Sequence, residues 1–332
     1  MTLEQALPNI FLLLMAVAIL LYAILDGFDL GVGLLLPMDN LAHRDRMIAS
    51  IGPFWDANET WLVLAVGILL IAFPSAHNIV LRELYLPAAI MLVGLILRGV
   101  AFDFRAKAVT KYQRLWDKLF KAGSFIAALS QGFMLGMYVT GFEYTVATVM
   151  FSLLTSIGAA AAYLYIGGAW LVLKTEGELQ VFAAKRARRA GWLMALSFVA
   201  ICVVNPLINP EVATRWFSMP GALILFLIPL MCGLIIVIVD QYLKNVPVRD
   251  DTACWLPFVG AAALFVFCLA GFAYSYFPYV IPNQLLAEDA ASAPASLMFV
   301  FYGVAIVLPV ILAYTILSYR IFKGKTTELT YY

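Results

Sequence analysis

Long apolar runs alternate along this chain with short polar segments rich in Lys and Arg. A helix of about 20 residues crosses a hydrocarbon layer of roughly 30 Å. Nine segments approach that length, near residues 9–36, 53–73, 79–101, 122–142, 147–173, 191–208, 220–243, 255–276 and 297–319. The pattern predicts an all-α polytopic membrane protein with about nine transmembrane helices, forming one domain over residues 1–332. Nineteen of the 21 Lys and Arg fall in the odd-numbered connections and the C-terminal tail; Arg82 and Arg215 alone lie on the other side. Cytoplasmic loops retain basic residues, so the N-terminus is expected outside and the C-terminus inside. No Lys or Arg precedes the first run, which outlasts a signal-peptide core, and it is expected to remain as the first span.

Two of the runs are too short. Ile10 to Leu25 is apolar for 16 residues, about 24 Å at helical rise. The first span must therefore draw in part of Leu25-Asp26-Gly27-Phe28-Asp29-Leu30-Gly31-Val32-Gly33. Asp26 and Asp29, three apart, share a helix face; Gly27 and Gly31, four apart, allow close approach of another helix. The second run, Trp61 to Phe73, has 13 residues, about 20 Å. It must draw in part of Pro53-Phe54-Trp55-Asp56-Ala57-Asn58-Glu59-Thr60, with Pro53 suited to a first helical turn. Asp56 and Glu59 share a face in turn, and both polar clusters fall at the cytoplasmic ends of their helices, where they can converge. An ionised side chain deep in lipid costs roughly 2.5–3.5 kcal/mol on insertion scales. Such acids must be neutral, paired, or turned to water or protein, and the residues alone leave three roles open: a proton path, structural polar contacts, or a cation site.

Composition sharpens the class. Apolar and aromatic residues make up 64% of the 332 residues and charged ones 12%, with mean hydropathy +0.94, against roughly 45–50% and about 25% in soluble domains. A water-soluble globule and a disordered chain are both excluded. A net charge of +1 gives no basic face for nucleic acid. Cys202, Cys232, Cys254 and Cys268 lack CxxC spacing and read as buried thiols. His43 falls in an inner loop and His77 in an outer one, so one haem cannot bridge them, and the chain is expected to ligate neither haem nor metal. Arg98, at the inner end of the third span, either pairs with one of the acids or snorkels to the interface. Asp103 and Arg105 read as an inner-boundary pair, Asp240 as interfacial, and Arg82 with Glu83 as an outer-surface pair. Nothing resembles a nucleotide loop or a nucleophile triad, so the chain does not read as a catalyst alone.

The two acidic motifs, Leu25 to Gly33 and Gly52-Pro53-Phe54-Trp55-Asp56-Ala57-Asn58-Glu59-Thr60-Trp61, closely resemble signatures of subunit II of cytochrome bd ubiquinol oxidase. Arg98-Gly99-Val100-Ala101-Phe102-Asp103-Phe104-Arg105 is similar to that family's third-span end, and Phe277-Pro278-Tyr279-Val280-Ile281-Pro282 to its late loop. The resemblance implies a respiratory complex of the bacterial inner membrane that oxidises quinol and reduces dioxygen to water. It implies haems b and d in a partner, subunit I, and in some members a small single-helix subunit, a bound quinone or lipid, or a dioxygen channel in subunit II. By motif position Asp26, Asp29 and Asp56 match acids linked to proton access from the cytoplasm, with Asn58 and Glu59 beside them and Arg98 as a charge partner. Some members carry His in place of Phe54 and Gln in place of Glu59. The connection near 209–219 is short, resembling the short, cyanide-insensitive-type branch. Two other readings compete: a proton-coupled secondary transporter, and a purely structural membrane subunit.

Overall fold

The structure is a computed structural model that describes residues 3–108, 110–219 and 221–326. Its helices are α1 (Leu3–Leu35), α2 (Leu41–Ile51), α3 (Trp55–Ala72), α4 (Pro74–Lys107), α5 (Thr110–Val139), α6 (Val146–Lys174), α7 (Gly177–Ile208), α8 (Pro210–Phe217), α9 (Gly221–Lys244), α10 (Leu256–Tyr276), α11 (Ala287–Ala290) and α12 (Pro294–Ile321). Among the described residues nine of them are long and apolar enough to cross a membrane. A two-stranded antiparallel ribbon, β1 (Tyr279–Ile281) with β2 (Leu285–Leu286), follows α10. Consecutive long helices run in opposite senses, so the C-terminal ends of α1, α4, α6, α9 and α12 gather at one end with the start of α3. That end carries most of the Lys and Arg and is called the basic end below.

Several boundaries differ from the sequence expectation, each for a physical reason. His77 is not in a loop: α3 and α4 meet at Phe73, which caps both. Pro74 cannot continue α3, yet suits the first turn of α4. His43 likewise lies in a helix, α2, whose first turn Asn40 caps by accepting from the His43 N–H at 3.0 Å. Pro53 precedes α3 in a turn rather than starting it. The third span runs on to Lys107, so Arg98 is well inside α4 rather than at its end. The sixth span begins at Gly177, because the basic stretch before residue 191 is helical too and buries Ala183, Ala184 and Ala187. For the seventh span, the expected start at 220 lies outside the described residues. The cysteines are free, but only Cys232 is buried; Cys202 and Cys254 are half-buried and Cys268 is exposed.

Without a hydrophobic force between helices in lipid, close backbone packing holds them. The spacing of Gly27 and Gly31 does what its pattern suggested. A Cβ on Gly31 would stand 1.8 Å from the Tyr163 carbonyl oxygen, and one on Gly167 2.5 Å from the Gly31 carbonyl carbon, so α1 and α6 touch backbone to backbone. The core has two main parts. One, at the basic end, gathers Phe28, Phe54, Trp170 and Leu171. The other, at the opposite end, packs Leu7, Phe11 and Phe73 with Val280 and Ile281 of the ribbon. In contrast, α12 buries only Leu297 among its residues.

Candidate functional site

The close approach of α6 encloses the end of α1: every residue from Asp26 to Leu35 is buried. Asp26 and Asp29 are both 0% exposed and cannot reach water within this chain, so neighbouring helices must supply polar partners. From α4, Arg98, also 0% exposed, donates through Nη2 to Asp26 Oδ1 at 2.5 Å. From α3, Asn58 Nδ2 donates to Asp29 Oδ2 at 2.8 Å and to the Leu25 carbonyl at 3.3 Å. From α12, the Tyr319 hydroxyl donates to Asn58 Oδ1 at 3.0 Å. Four helices distant in sequence thus converge on one pair of carboxylates.

The expected site residues separate into two groups. Asp26, Asp29, Asn58 and Arg98 are brought together, and Arg98 is an ion-pair partner rather than an interfacial snorkel. Glu59 is half-buried next to Asn58, whereas Asp56 lies exposed on the first turn of α3. Asp26 Oδ2, Asp29 Oδ1 and Arg98 Nε and Nη1 have no hydrogen-bond partner among the described residues. The cluster therefore holds both donors and acceptors facing one another's charge.

A second buried charge cluster lies at the basic end. Asp117 of α5, 0% exposed, accepts from Arg105 Nε at 2.5 Å and is ion-paired with Arg44, whose Nε lies 2.7 Å from Asp117 Oδ2. Arg105 Nη2 reaches Asp45 at 2.5 Å. The expected Asp103–Arg105 pairing is thus incorrect: neighbours on a helix point in different directions, and Asp103 is exposed. Asp240 is paired with Arg188 at 2.9 Å, and Arg82 with Glu83 at 2.8 Å as expected. Sequence reading also missed a hydrogen-bonded row across α1, α5 and α6, in which Tyr163 donates to Gln131 at 2.7 Å and Gln131 to Tyr22 at 2.6 Å. Tyr22 lies one turn before Asp26, a spacing that could have flagged it.

Among the described residues no group of three or more His, Cys, Asp or Glu could hold a metal ion. The two histidines sit at opposite ends of the bundle, on α2 and at the start of α4. What the arrangement offers is ionisable and hydrogen-bonding groups held within the membrane span.

Nine long apolar helices among the described residues, with carboxylates enclosed at the basic end, define a multi-pass membrane protein. Residues 7–322 match the family described as cytochrome bd terminal oxidase subunit II, and the chain belongs to that family. It is 28% identical to the cytochrome bd-I ubiquinol oxidase subunit 2 of Escherichia coli (strain K12), over 98% of this chain and 96% of that one. It is also 28% identical to the cytochrome bd ubiquinol oxidase subunit 2 of Bacillus subtilis (strain 168), over 97% and 98%. The fold is similar to a chain from the structure of bd oxidase from Geobacillus thermodenitrificans, with a TM-score of 0.77 and 19% identity over 96% of this chain and 99% of that chain.

Proposed function

We propose that this chain, a subunit of a cytochrome bd-type terminal quinol oxidase in the bacterial inner membrane, braces its haem-bearing partner and admits protons from the cytoplasm. The basic end faces the cytoplasm in this reading, as the distribution of Lys and Arg requires. Haems b and d belong to the partner, subunit I, where quinol is oxidised and dioxygen reduced; a quinone or lipid and a small single-helix subunit complete the expected company. Dioxygen reduction consumes protons, and taking them from the inside makes the reaction charge-separating.

The observation that carries this reading is the enclosed Asp29, bonded through one oxygen to Asn58 while the other has no partner among the described residues. A carboxyl group with one free oxygen can accept and release a proton without breaking the contact that holds it. Exposed Asp56 and half-buried Glu59, on the turn of α3 that also bears Asn58, suit the approach from water. Asp26 is engaged differently: its ion pair with Arg98 favours a bracing and electrostatic role. Membership of the family sets the transporter reading aside.

The test is turnover in the assembled complex. Asp29→Asn and Asp56→Asn should slow quinol oxidation and proton uptake while the haem spectrum stays normal. Unchanged turnover in both variants would remove proton access from this subunit and leave bracing alone.

A further inference from the structure

The last span buries only Leu297 fully, and its C-terminal end is tied down by hydrogen bonds. Beyond α12, residues 322–326 double back over the C-terminus of α6, whose final carbonyls lack intrahelical partners. Lys325 Nζ donates to the carbonyls of Thr175 at 2.9 Å and Val172 at 3.3 Å, and the Thr326 N–H donates to the Lys174 carbonyl at 2.8 Å. In return, Lys174 Nζ donates to the Phe322 carbonyl at 2.6 Å and the Gly324 carbonyl at 3.2 Å. Two ammonium groups thus sit at the negative end of a helix dipole. Lys325 also pairs with Asp251 in the α9–α10 connection, and Gln180 of α7 donates to the same carboxylate at 2.6 Å. Burial alone would raise the Asp251 carboxyl, but these two donors hold it below its ordinary range. The strap therefore ties α12 to α6, α7 and the α9–α10 connection.

One turn inside the strap, the Tyr319 ring stacks on Phe54 with centroids 4.4 Å apart, and Phe322 meets the same ring edge-on at 5.9 Å. Lys174 Nζ lies 5.6 Å from the Phe54 ring centroid. The Tyr319 hydroxyl then reaches Asn58. A side-chain amide can present either oxygen or nitrogen to a neighbour. With its oxygen taken by the Tyr319 proton, Asn58 must turn its NH₂ towards Asp29, the orientation a carboxylate requires. If the hydroxyl is lost or moved, no other described residue bonds Asn58 Oδ1, and the amide is held only through its NH₂, by Asp29 and the Leu25 carbonyl.

We propose that Tyr319 is a positioning residue that sets the Asn58–Asp29 contact, and that the C-terminal strap, through Lys174 and Lys325, holds Tyr319 in place. The inference rests on the proton-access reading above. It makes the rate of the oxidase depend on a segment remote in sequence from both acidic motifs.

The experiment uses the assembled oxidase, reconstituted in lipid nanodiscs and assayed with a short-chain quinol. Tyr319→Phe keeps the ring stack and removes only the hydroxyl; losing one hydrogen bond of ordinary strength predicts a fall in kcat of about two- to tenfold. The KM for quinol and the haem spectrum should not change. Lys325→Gln should lower kcat in the same direction, Lys325→Arg should restore it, and Lys325→Gln added to Tyr319→Phe should have no further effect. Additive losses in the double variant overturn the link between strap and hydroxyl. Loss of haem from Tyr319→Phe overturns it too, since bracing would then be its role. Normal turnover in Tyr319→Phe alongside slow turnover in Asp29→Asn refutes the inference and spares the proton-access reading; normal turnover in Tyr319→Phe, Asp29→Asn and Asp56→Asn ends the two together.

Discussion

Replacing Arg98 by Gln would leave Asp26 facing a neutral group in a site that neither residue shares with solvent. Both side chains are essentially unexposed, and the guanidinium reaches the carboxylate at 2.5 Å. Breaking a buried ion pair by removing one member costs about 3–5 kcal/mol, because the remaining charge has been stripped of water without compensation. At 1.4 kcal/mol per tenfold, that is roughly two to three and a half decades in the folded-to-unfolded ratio. It is a large part of the total of about 5–15 kcal/mol typical of a domain. The double variant Asp26→Asn with Arg98→Gln removes both members of the pair and leaves no uncompensated charge at position 26, so it should recover part of the stability. The assay is the haem spectrum that survives a graded heat challenge of the complex, since a subunit that unfolds releases its partner. Arg98→Gln should lower the midpoint clearly and the double variant should lower it much less. An unchanged midpoint for Arg98→Gln would mean that the pair is hydrated in the assembled enzyme, and the argument from enclosure would fail.

Two further outcomes follow from the packing. Asp117→Asn should destabilise by about 3 kcal/mol or more, because Arg44 and Arg105 both lose a charged partner in a buried setting, while Asp103→Asn, at an exposed position, should stay within about 0.5 kcal/mol; equal effects in the same heat challenge would contradict the assignment of Arg105 to Asp117. Gly31→Ala would drive a methyl group into the Tyr163 carbonyl, which stands 1.8 Å from the Cβ position, and should cost at least the roughly 1–3 kcal/mol typical of overpacking; normal yield of the complex would show that α1 and α6 are further apart than described.

The nine spans, their alternation and the two acidic motifs were legible in the chain, because the hydrocarbon layer imposes one length and one polarity on every segment that crosses it. The length shortfall of the first two runs required acids to enter with both helices, and Asp26 and Asp29 are enclosed. It did not place Asp56, which sits on the exposed side of the same turn, since a run length fixes depth along a helix but not which way a residue faces. Charges defeated the boundary reading as well: Arg98 and Arg105 look like the edge of a membrane until their partners are known, and those partners lie 72 and 12 residues away in the chain. Tyr319 gave no signal at all, as one aromatic residue among many at the end of an apolar helix.

Local pattern, in short supply of long-range information, determined which segments enter the membrane and that acids must travel with two of them. Tertiary structure alone decided the pairing of those acids, the burial of Asp117 and the return of the C-terminal strap to α6. The physical reason is that solvation is a property each segment carries by itself, whereas a hydrogen bond or ion pair in lipid exists only where two separate helices bring their side chains to within about 3 Å.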